Sequence, residues 1–208
     1  MASLITYLGA AAIVPGRAFR RLDREPKRVV KGLRAMIIVG VLFAVSAAGL
    51  AAAGALLPAP VVLPLPSHNY YFFEMFFALP VFLAAWLVGA GGGNLLASVL
   101  GGRGQAKTAT GAWGIAFAVP SLLMWIPHAV FSGFLILGMS QREFMSYTAA
   151  PGIWKTGFFA YQGLALLLLL VGSIKAASVG RNLKPLPAFL TGLFAAGLFA
   201  LIIGISIR

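Results

Sequence analysis

The sequence contains no cysteine and very few acidic residues. Only four of its 208 residues are aspartate or glutamate, and charged residues make up 10% of the chain. The absence of cysteine excludes disulfide bonds, thiolate metal sites and a cysteine nucleophile. Soluble domains carry roughly 25% charged residues, and so few charges cannot cover a surface that faces water. The composition therefore excludes an ordinary soluble globular protein.

Recognisable catalytic motifs are also missing. The chain has no His-Glu-x-x-His motif, no Gly-x-Ser-x-Gly nucleophile elbow and no pair of aspartates inside an apolar segment. Asp23 and Glu25 lie within a basic stretch, which leaves little equipment for acid–base catalysis. His68, Glu74 and His128 are the one conceivable metal set, and their spacing resembles no ligand pair. We predict a protein that is not an enzyme and uses no cofactor and no metal.

Long apolar segments dominate the rest of the sequence. Hydrophobic residues make up 61% of the chain, and its mean hydropathy is +0.96. A helix crosses the bilayer core with about 20 apolar residues. Five segments reach that length, namely residues 35–57, 70–100, 110–138, 153–176 and 186–207. The sequence therefore predicts an all-α polytopic membrane protein, with a bundle of five transmembrane helices in residues 35–208 behind an N-terminal basic segment, residues 1–34.

The sixteen lysines and arginines predict the orientation of these helices. Eight precede the first apolar segment, two lie in the loop after the second, and three lie around the loop after the fourth. Arg142, Lys155 and Arg208 fall on the other side. Because short cytoplasmic loops are rich in lysine and arginine, we expect a cytoplasmic N-terminus and a C-terminus outside.

The N-terminal basic segment is a candidate binding surface. Its bases are Arg17, Arg20, Arg21, Arg24, Lys27, Arg28, Lys31 and Arg34. The first four recur at spacings of three and four, which places them on one face of a helix. We predict a short helix lying on the cytoplasmic leaflet, where each base adds about 1 kcal/mol of attraction to anionic lipid headgroups. Because these bases lie beside apolar segments, they favour lipid over nucleic acid as the binding partner. The segment could also serve only to orient the chain in the membrane, or could dock a protein partner.

Polar side chains in or beside the apolar segments form a second candidate site, consisting of Glu74, His128, Lys155 and Gln162. A charge at the centre of a bilayer costs about 2.5–3.5 kcal/mol, so each needs a partner. Glu74 can pair with Lys155 or accept a hydrogen bond from Tyr70 or Tyr71. His128 follows a proline and can bond a carbonyl that the proline leaves free. If all four converged, they would line the polar cavity of a small permease or channel.

Small residues recur every four positions in the second apolar segment, at Ala85, Gly89, Gly93, Ala97 and Gly101. Such a stripe lets helix backbones approach closely inside a membrane, where apolar burial no longer drives association. The pattern favours packing within the chain. It leaves open a homo-oligomer that would use the same grooves.

Five short elements of the sequence resemble the Yip-domain family, and the chain is most similar in layout to the prokaryotic branch of that family. The five elements are Pro15-Gly16-Arg17-Ala18-Phe19, Leu100-Gly101-Gly102-Arg103-Gly104, Ala118-Val119-Pro120-Ser121-Leu122, Gly152-Ile153-Trp154 and Ser173-Ile174-Lys175-Ala176. The family comprises integral membrane proteins first known as interactors of Ypt/Rab GTPases. The resemblance implies five helices, a cytoplasmic N-terminus and a prokaryotic cytoplasmic membrane; in eukaryotes it implies roles in trafficking, GTPase recruitment and membrane shaping. This chain lacks the long polar N-terminal region of eukaryotic members.

Two functions of different classes follow from these observations. The first is a non-catalytic membrane scaffold or adaptor, or a lipid-organising protein, that recruits partners at its basic cytoplasmic face. The second is a small permease or channel built around the four polar residues. The scarcity of charge inside the apolar segments and the density of bases ahead of them favour the first.

Overall fold

The computed structural model describes residues 3–57, 65–149 and 151–207 of the chain. In these ranges the elements are α1 (Leu4–Ile13), α2 (Pro15–Asp23), α3 (Arg28–Ala52), α4 (Tyr70–Val99), α5 (Ala106–Ile136), α6 (Gln141–Ala149), α7 (Ile153–Arg181) and α8 (Pro185–Ser206). Five of them, α3, α4, α5, α7 and α8, are long and apolar enough to cross a membrane. The predicted all-α fold with five membrane-length helices is confirmed.

Three helices extend beyond the predicted apolar segments at the same end of the bundle, and α5 does so by beginning at Ala106 rather than at residue 110. The first segment was predicted to begin at residue 35, but α3 begins at Arg28. Likewise α7 continues beyond residue 176 to Arg181. All three extensions contain bases, which lower the hydropathy without breaking the helix. Hydropathy therefore locates the apolar core of each span but not its helical ends.

Helix α5 is the centre of the bundle. It packs against α3, α4 and α7, while α8 packs against α4 and α7. From residue 108 to residue 121 every α5 residue except Thr110 is buried. Helices α3, α5 and α8 all begin at one end of the bundle. We call this the basic end, and we call the opposite one the far end. The densest part of the core thus lies in the half nearer the basic end.

Backbones meet directly where α3 crosses α5, at Gly32, Gly111 and Gly114. A methyl group built on Gly32 would lie 2.7 Å from the carbonyl oxygen of Gly111, and one built on Gly114 would lie 2.6 Å from the Cα of Gly32. The stripe on α4 is used in the same way, since a methyl group on Gly93 would lie 2.7 Å from the Trp113 ring. Small residues therefore set the helix spacing within the chain.

A side chain from α7 compensates for a proline inside α5. Pro127 has no N–H, so the carbonyl of Leu123, one turn earlier, has no helical donor. The Tyr161 hydroxyl donates to that carbonyl at 2.5 Å. The sequence suggested His128 for this role, and that interpretation is wrong because Tyr161 fills it. A buried backbone oxygen is thus satisfied across the α5–α7 contact.

Helices α1 and α2 form a cap over the basic end, which we call the basic cap. Helix α2 packs on α7 and α5, and α1 packs on α2 and α5. Phe19 and Leu22 of α2 and Tyr7 of α1 are buried in these contacts, with exposures of 1% or less. The sequence predicted a helix that lies on the cytoplasmic leaflet with its bases toward lipid headgroups, and it left the surroundings of Phe19 and Leu22 unassigned. In the structure these two side chains are buried against protein, where α2 packs on α7 and α5.

At the far end, helix α6 is an element that the sequence analysis did not predict. Gln141, its first residue, forms two hydrogen bonds with the backbone of Leu56: it accepts from the N–H at 2.8 Å and donates to the carbonyl at 2.7 Å. Phe144 packs against Phe131 of α5, with ring centroids 4.8 Å apart. These contacts tie the end of α3, the end of α5 and α6 together.

Candidate functional site

Three arginines of α2 and the arginine at its C-cap line one cavity on the outside of the basic cap. They are Arg17, Arg20, Arg21 and Arg24, and we call them the arginine cluster. The cavity has a volume of about 390 Å³. All four side chains are exposed, on the helix face opposite the buried Phe19 and Leu22. The sequence-based expectation that these bases share one face is therefore met, on a helix that is fixed to the bundle.

The two carboxylates near the arginine cluster are engaged elsewhere. Asp23 pairs with Arg28 at 3.3 Å and accepts a hydrogen bond from the Thr108 hydroxyl at 2.5 Å. Glu25 pairs with Lys31 at 2.8 Å. Arg28 also donates to Gln105 at the start of α5. Arg28 and Lys31 therefore attach the basic cap to the bundle, so they are structural rather than members of a binding surface.

The remaining predicted bases of the segment take no part in the cavity. Lys27 and Arg34 are exposed, at the N-cap of α3 and in its second turn. The eight bases thus divide into three groups: the arginine cluster, an internal pair of anchors and two separate surface charges. Sequence spacing identified the first group, while the anchors depend on contacts with Asp23, Glu25 and α5.

Tyr7 is buried at the centre of the basic cap. Its hydroxyl donates to a carboxylate oxygen of Glu25 at 3.0 Å, and Lys31 lies 4.4 Å from the centroid of its ring. Burial, followed by the hydrogen bond to Glu25, raises the pKa of Tyr7 to about 12. The phenol therefore stays protonated well into the alkaline range.

This pKa predicts how the basic cap responds to alkali. Because the folded state holds the Tyr7 proton more tightly than the unfolded state, its contribution to stability is complete below about pH 10 and is lost as the pH rises to about 12. Phenolate absorbance at 295 nm should show a component with a midpoint near pH 12 in the native chain. That component should be missing from Tyr7→Phe. A difference between the two titrations centred at pH 10 would contradict the buried contact with Glu25.

Arg181 is a buried charge that the sequence analysis counted only as a topology signal. Its guanidinium donates to the Ser98 hydroxyl at 2.7 Å and to the Gly102 carbonyl at 3.3 Å. Both acceptors lie at the end of α4, where the helix dipole favours a positive charge. The Gly104 N–H donates to the Arg181 carbonyl at 3.0 Å. Arg181 thus joins the ends of α4 and α7 to the turn that begins α5.

Glu74 and His128 meet inside the bundle toward the far end. His128 Nε2 lies 4.0 Å from Glu74 Oε2, and their side chains are 9% and 0% exposed. Phe43 of α3 and Tyr71 of α4 flank the imidazole, with ring centroids 5.4 Å and 6.2 Å away. Two of the four predicted polar residues therefore form a buried contact between α4 and α5.

The other two predicted polar residues lie on α7. The predicted pair between Lys155 and Glu74 is wrong, because Lys155 is exposed and Glu74 is fully buried. The side chain that lies beside Glu74 is His128. Gln162 is half-buried on the same helix. His68 is exposed and precedes α4. Among the residues that the structure describes, no three histidine or acidic side chains come together in a way that could hold a metal ion.

The bundle places the chain in a broad class. Its five apolar helices of membrane length are those of a polytopic integral membrane protein. No family model, no curated protein and no solved structure matches the chain. Its function is therefore inferred from its own residues.

Proposed function

We propose that the protein is a non-catalytic membrane scaffold or adaptor whose basic cap recruits anionic lipid or a protein partner at the cytoplasmic face. In this proposal the N-terminus is cytoplasmic and the C-terminus lies outside, following the distribution of lysine and arginine. The setting is a prokaryotic cytoplasmic membrane. The resemblance of short elements to the Yip-domain family agrees with such a role.

The observation that carries the proposal is the arginine cluster around one cavity. A basic stretch that served only to orient the chain would need charge near the membrane, without a fixed arrangement. Here the opposite face of α2 is packed into the bundle by Phe19 and Leu22. The arginines are thereby presented from a firmly packed surface, which lowers the entropy cost of binding a partner.

Crosslinking in native membranes tests the proposal. The wild-type chain is compared with Arg20→Ala/Arg21→Ala/Arg24→Ala, and crosslinked proteins are identified by affinity purification and mass spectrometry. We expect a reproducible partner that the variant loses, because three of the four arginines of the cavity are gone.

The chain offers a matched control for this comparison. Arg103→Ala/Lys107→Ala/Lys184→Ala removes three exposed bases from the same end of the bundle without touching α2. It should retain the partner. If both triple variants behave like the wild type, the arginine cluster recruits no protein partner and the adaptor role fails.

One observation favours the second candidate, a small permease or channel. A carboxyl and an imidazole buried together between membrane-length helices form the kind of pair found along proton and ion pathways. Against it, Lys155 is exposed and takes no part in this contact. Passage of protons or cations through proteoliposomes, abolished by Glu74→Gln, would support this function over the scaffold.

A further inference from the structure

We infer that the arginine cluster is a binding site for a phosphate group carrying two negative charges, either a phosphomonoester or a diphosphate. This inference deepens the proposed function, since it names the ligand chemistry of the same surface. The ligand is held by the guanidinium groups of Arg17, Arg20, Arg21 and Arg24. Its source is either a lipid headgroup or a soluble phosphate compound.

The cavity is an open groove among the four arginines, with room for a small group. Its volume of about 390 Å³ lies near the lower end of the ~300–1,000 Å³ typical of small-molecule sites. One phosphate-bearing headgroup fits such a space. A nucleic acid duplex would instead require a longer basic surface than the nine-residue helix α2 provides.

The charge of the cavity selects an anion. Its lining is four arginines. In residues 3–57, 65–149 and 151–207, no carboxylate lies within ion-pair distance of these guanidinium groups, because Asp23 is bound by Arg28 and Thr108 and Glu25 is bound by Lys31. Four like charges on about two turns of helix repel one another, and a multivalent anion relieves that repulsion.

The residue type favours phosphate among anions. Guanidinium groups present planar donor pairs that match phosphate oxygens, whereas an ammonium group acts as a point charge. All four positions are arginine, although the chain also uses lysine freely at the neighbouring Lys27 and Lys31. Several forks around one cavity can each donate two hydrogen bonds to the same phosphate.

The packing of α2 keeps the four arginines in register. Pro15 starts the helix with a fixed φ, which suits the first helical turn. Phe19 and Leu22 fix its rotation, since both are fully buried. The ligand therefore meets a partly preorganised site, which reduces the ordering cost to that of the arginine side chains.

Binding of two probes to the purified full chain tests the inference. In nanodiscs of phosphatidylcholine alone, isothermal titration with inorganic pyrophosphate examines a soluble source. In nanodiscs that also contain phosphatidic acid, native mass spectrometry counts the phosphomonoester lipid retained by the chain. The decisive variant is Arg20→Lys/Arg21→Lys/Arg24→Lys, which keeps every charge but removes the donor forks, and Arg103→Ala/Lys107→Ala/Lys184→Ala is the control.

We expect saturable binding of one phosphate ligand per chain. The lysine variant should weaken it at least tenfold, and the control should stay within twofold of the wild type. Pyrophosphate binding assigns the site to a soluble phosphate compound; retention of phosphatidic acid without pyrophosphate binding assigns it to lipid. If neither probe binds, or if the lysine variant binds as the wild type does, the inference is overturned and the surface acts by charge alone.

These results can be separated from the test of the scaffold function. A partner that depends on the arginine cluster, together with no phosphate binding, would refute the phosphate site and leave the scaffold standing. Binding of pyrophosphate alone, with neither retained phosphatidic acid nor an arginine-dependent partner, would do the reverse. Circular dichroism of the lysine variant at wild-type helicity shows that a loss of binding is not a loss of fold.

Discussion

Gly114→Ala should strongly destabilise the protein, because the added methyl group meets the backbone of α3. The added Cβ would lie 2.6 Å from the Cα of Gly32 and 2.8 Å from its carbonyl carbon. Both atoms belong to the α3 backbone, so no rotamer change can make room and the helices must separate. Overpacking of a core costs roughly 1–3 kcal/mol, and a backbone clash belongs at the upper end. Equilibrium unfolding in mixed detergent, followed by circular dichroism, measures the loss.

Gly133→Ala is the matched control in the same helix. A methyl group at this position has nothing within 4 Å, so it adds no contact. Alanine is a better helix former than glycine by about 0.5–1 kcal/mol, and the variant should be as stable as the wild type or slightly more stable. Equal free energies of unfolding for the two variants would show that the α3–α5 crossing is looser than the structure has it.

The second large effect is expected at the buried pair of Glu74 and His128. His128→Leu removes the imidazole and leaves a carboxyl group with 0% exposure beside apolar rings. Leaving a buried polar group without its partner costs about 1–3 kcal/mol, and more where the group is charged, whereas replacing both partners by apolar groups of similar shape can be nearly neutral. We therefore expect Glu74→Leu/His128→Leu to be more stable than His128→Leu alone. Unfolding free energies of the single and double variants, combined in a double-mutant cycle, measure the coupling.

Gln162→Leu serves as the comparison for the buried pair. It removes a half-buried amide from α7 without touching Glu74 or His128. We expect a change of less than about 1 kcal/mol, as for a polar group that keeps access to other partners. Additive effects of the Glu74 and His128 replacements would mean that the two side chains do not interact, and would remove the observation that favours the permease.

The membrane helices were predictable because hydropathy is a local property. In a run of about 20 apolar residues that crosses the bilayer, the backbone N–H and C=O groups must hydrogen-bond to one another. The segment itself therefore determines the helix. The first turns of α3 were missed for the same reason. Arg28, Lys31 and Arg34 lower the hydropathy there, while Gly32 needs the helix to continue in order to meet α5. Helix ends depend on neighbours that the local sequence does not show.

The candidate site was predictable only in part. The spacing of the arginine cluster is local, and its shared face follows from 3.6 residues per turn. The contact between Glu74 and His128 joins two helices at positions 54 residues apart in the sequence. From charge and membrane depth alone, Lys155 was the expected partner of Glu74. Arg181 shows the same limit, since its acceptors are Ser98 on α4 and Gly102 in the turn after α4. Contacts between side chains on different helices depend on how each helix is rotated and tilted, and the composition of the chain does not determine these.

The docking of α2 on α7 has a consequence for biosynthesis. Residues 15–23 are made well before residues 153–181, and at roughly 5–20 residues per second the interval is on the order of ten seconds. Throughout that interval Phe19 and Leu22 lack the α7 part of their final surroundings. The contact of α2 with α7 can form only after the fourth span has been made. The first helices to be made thus complete their packing among the last, and their arrangement marks a chain whose insertion is nearly finished.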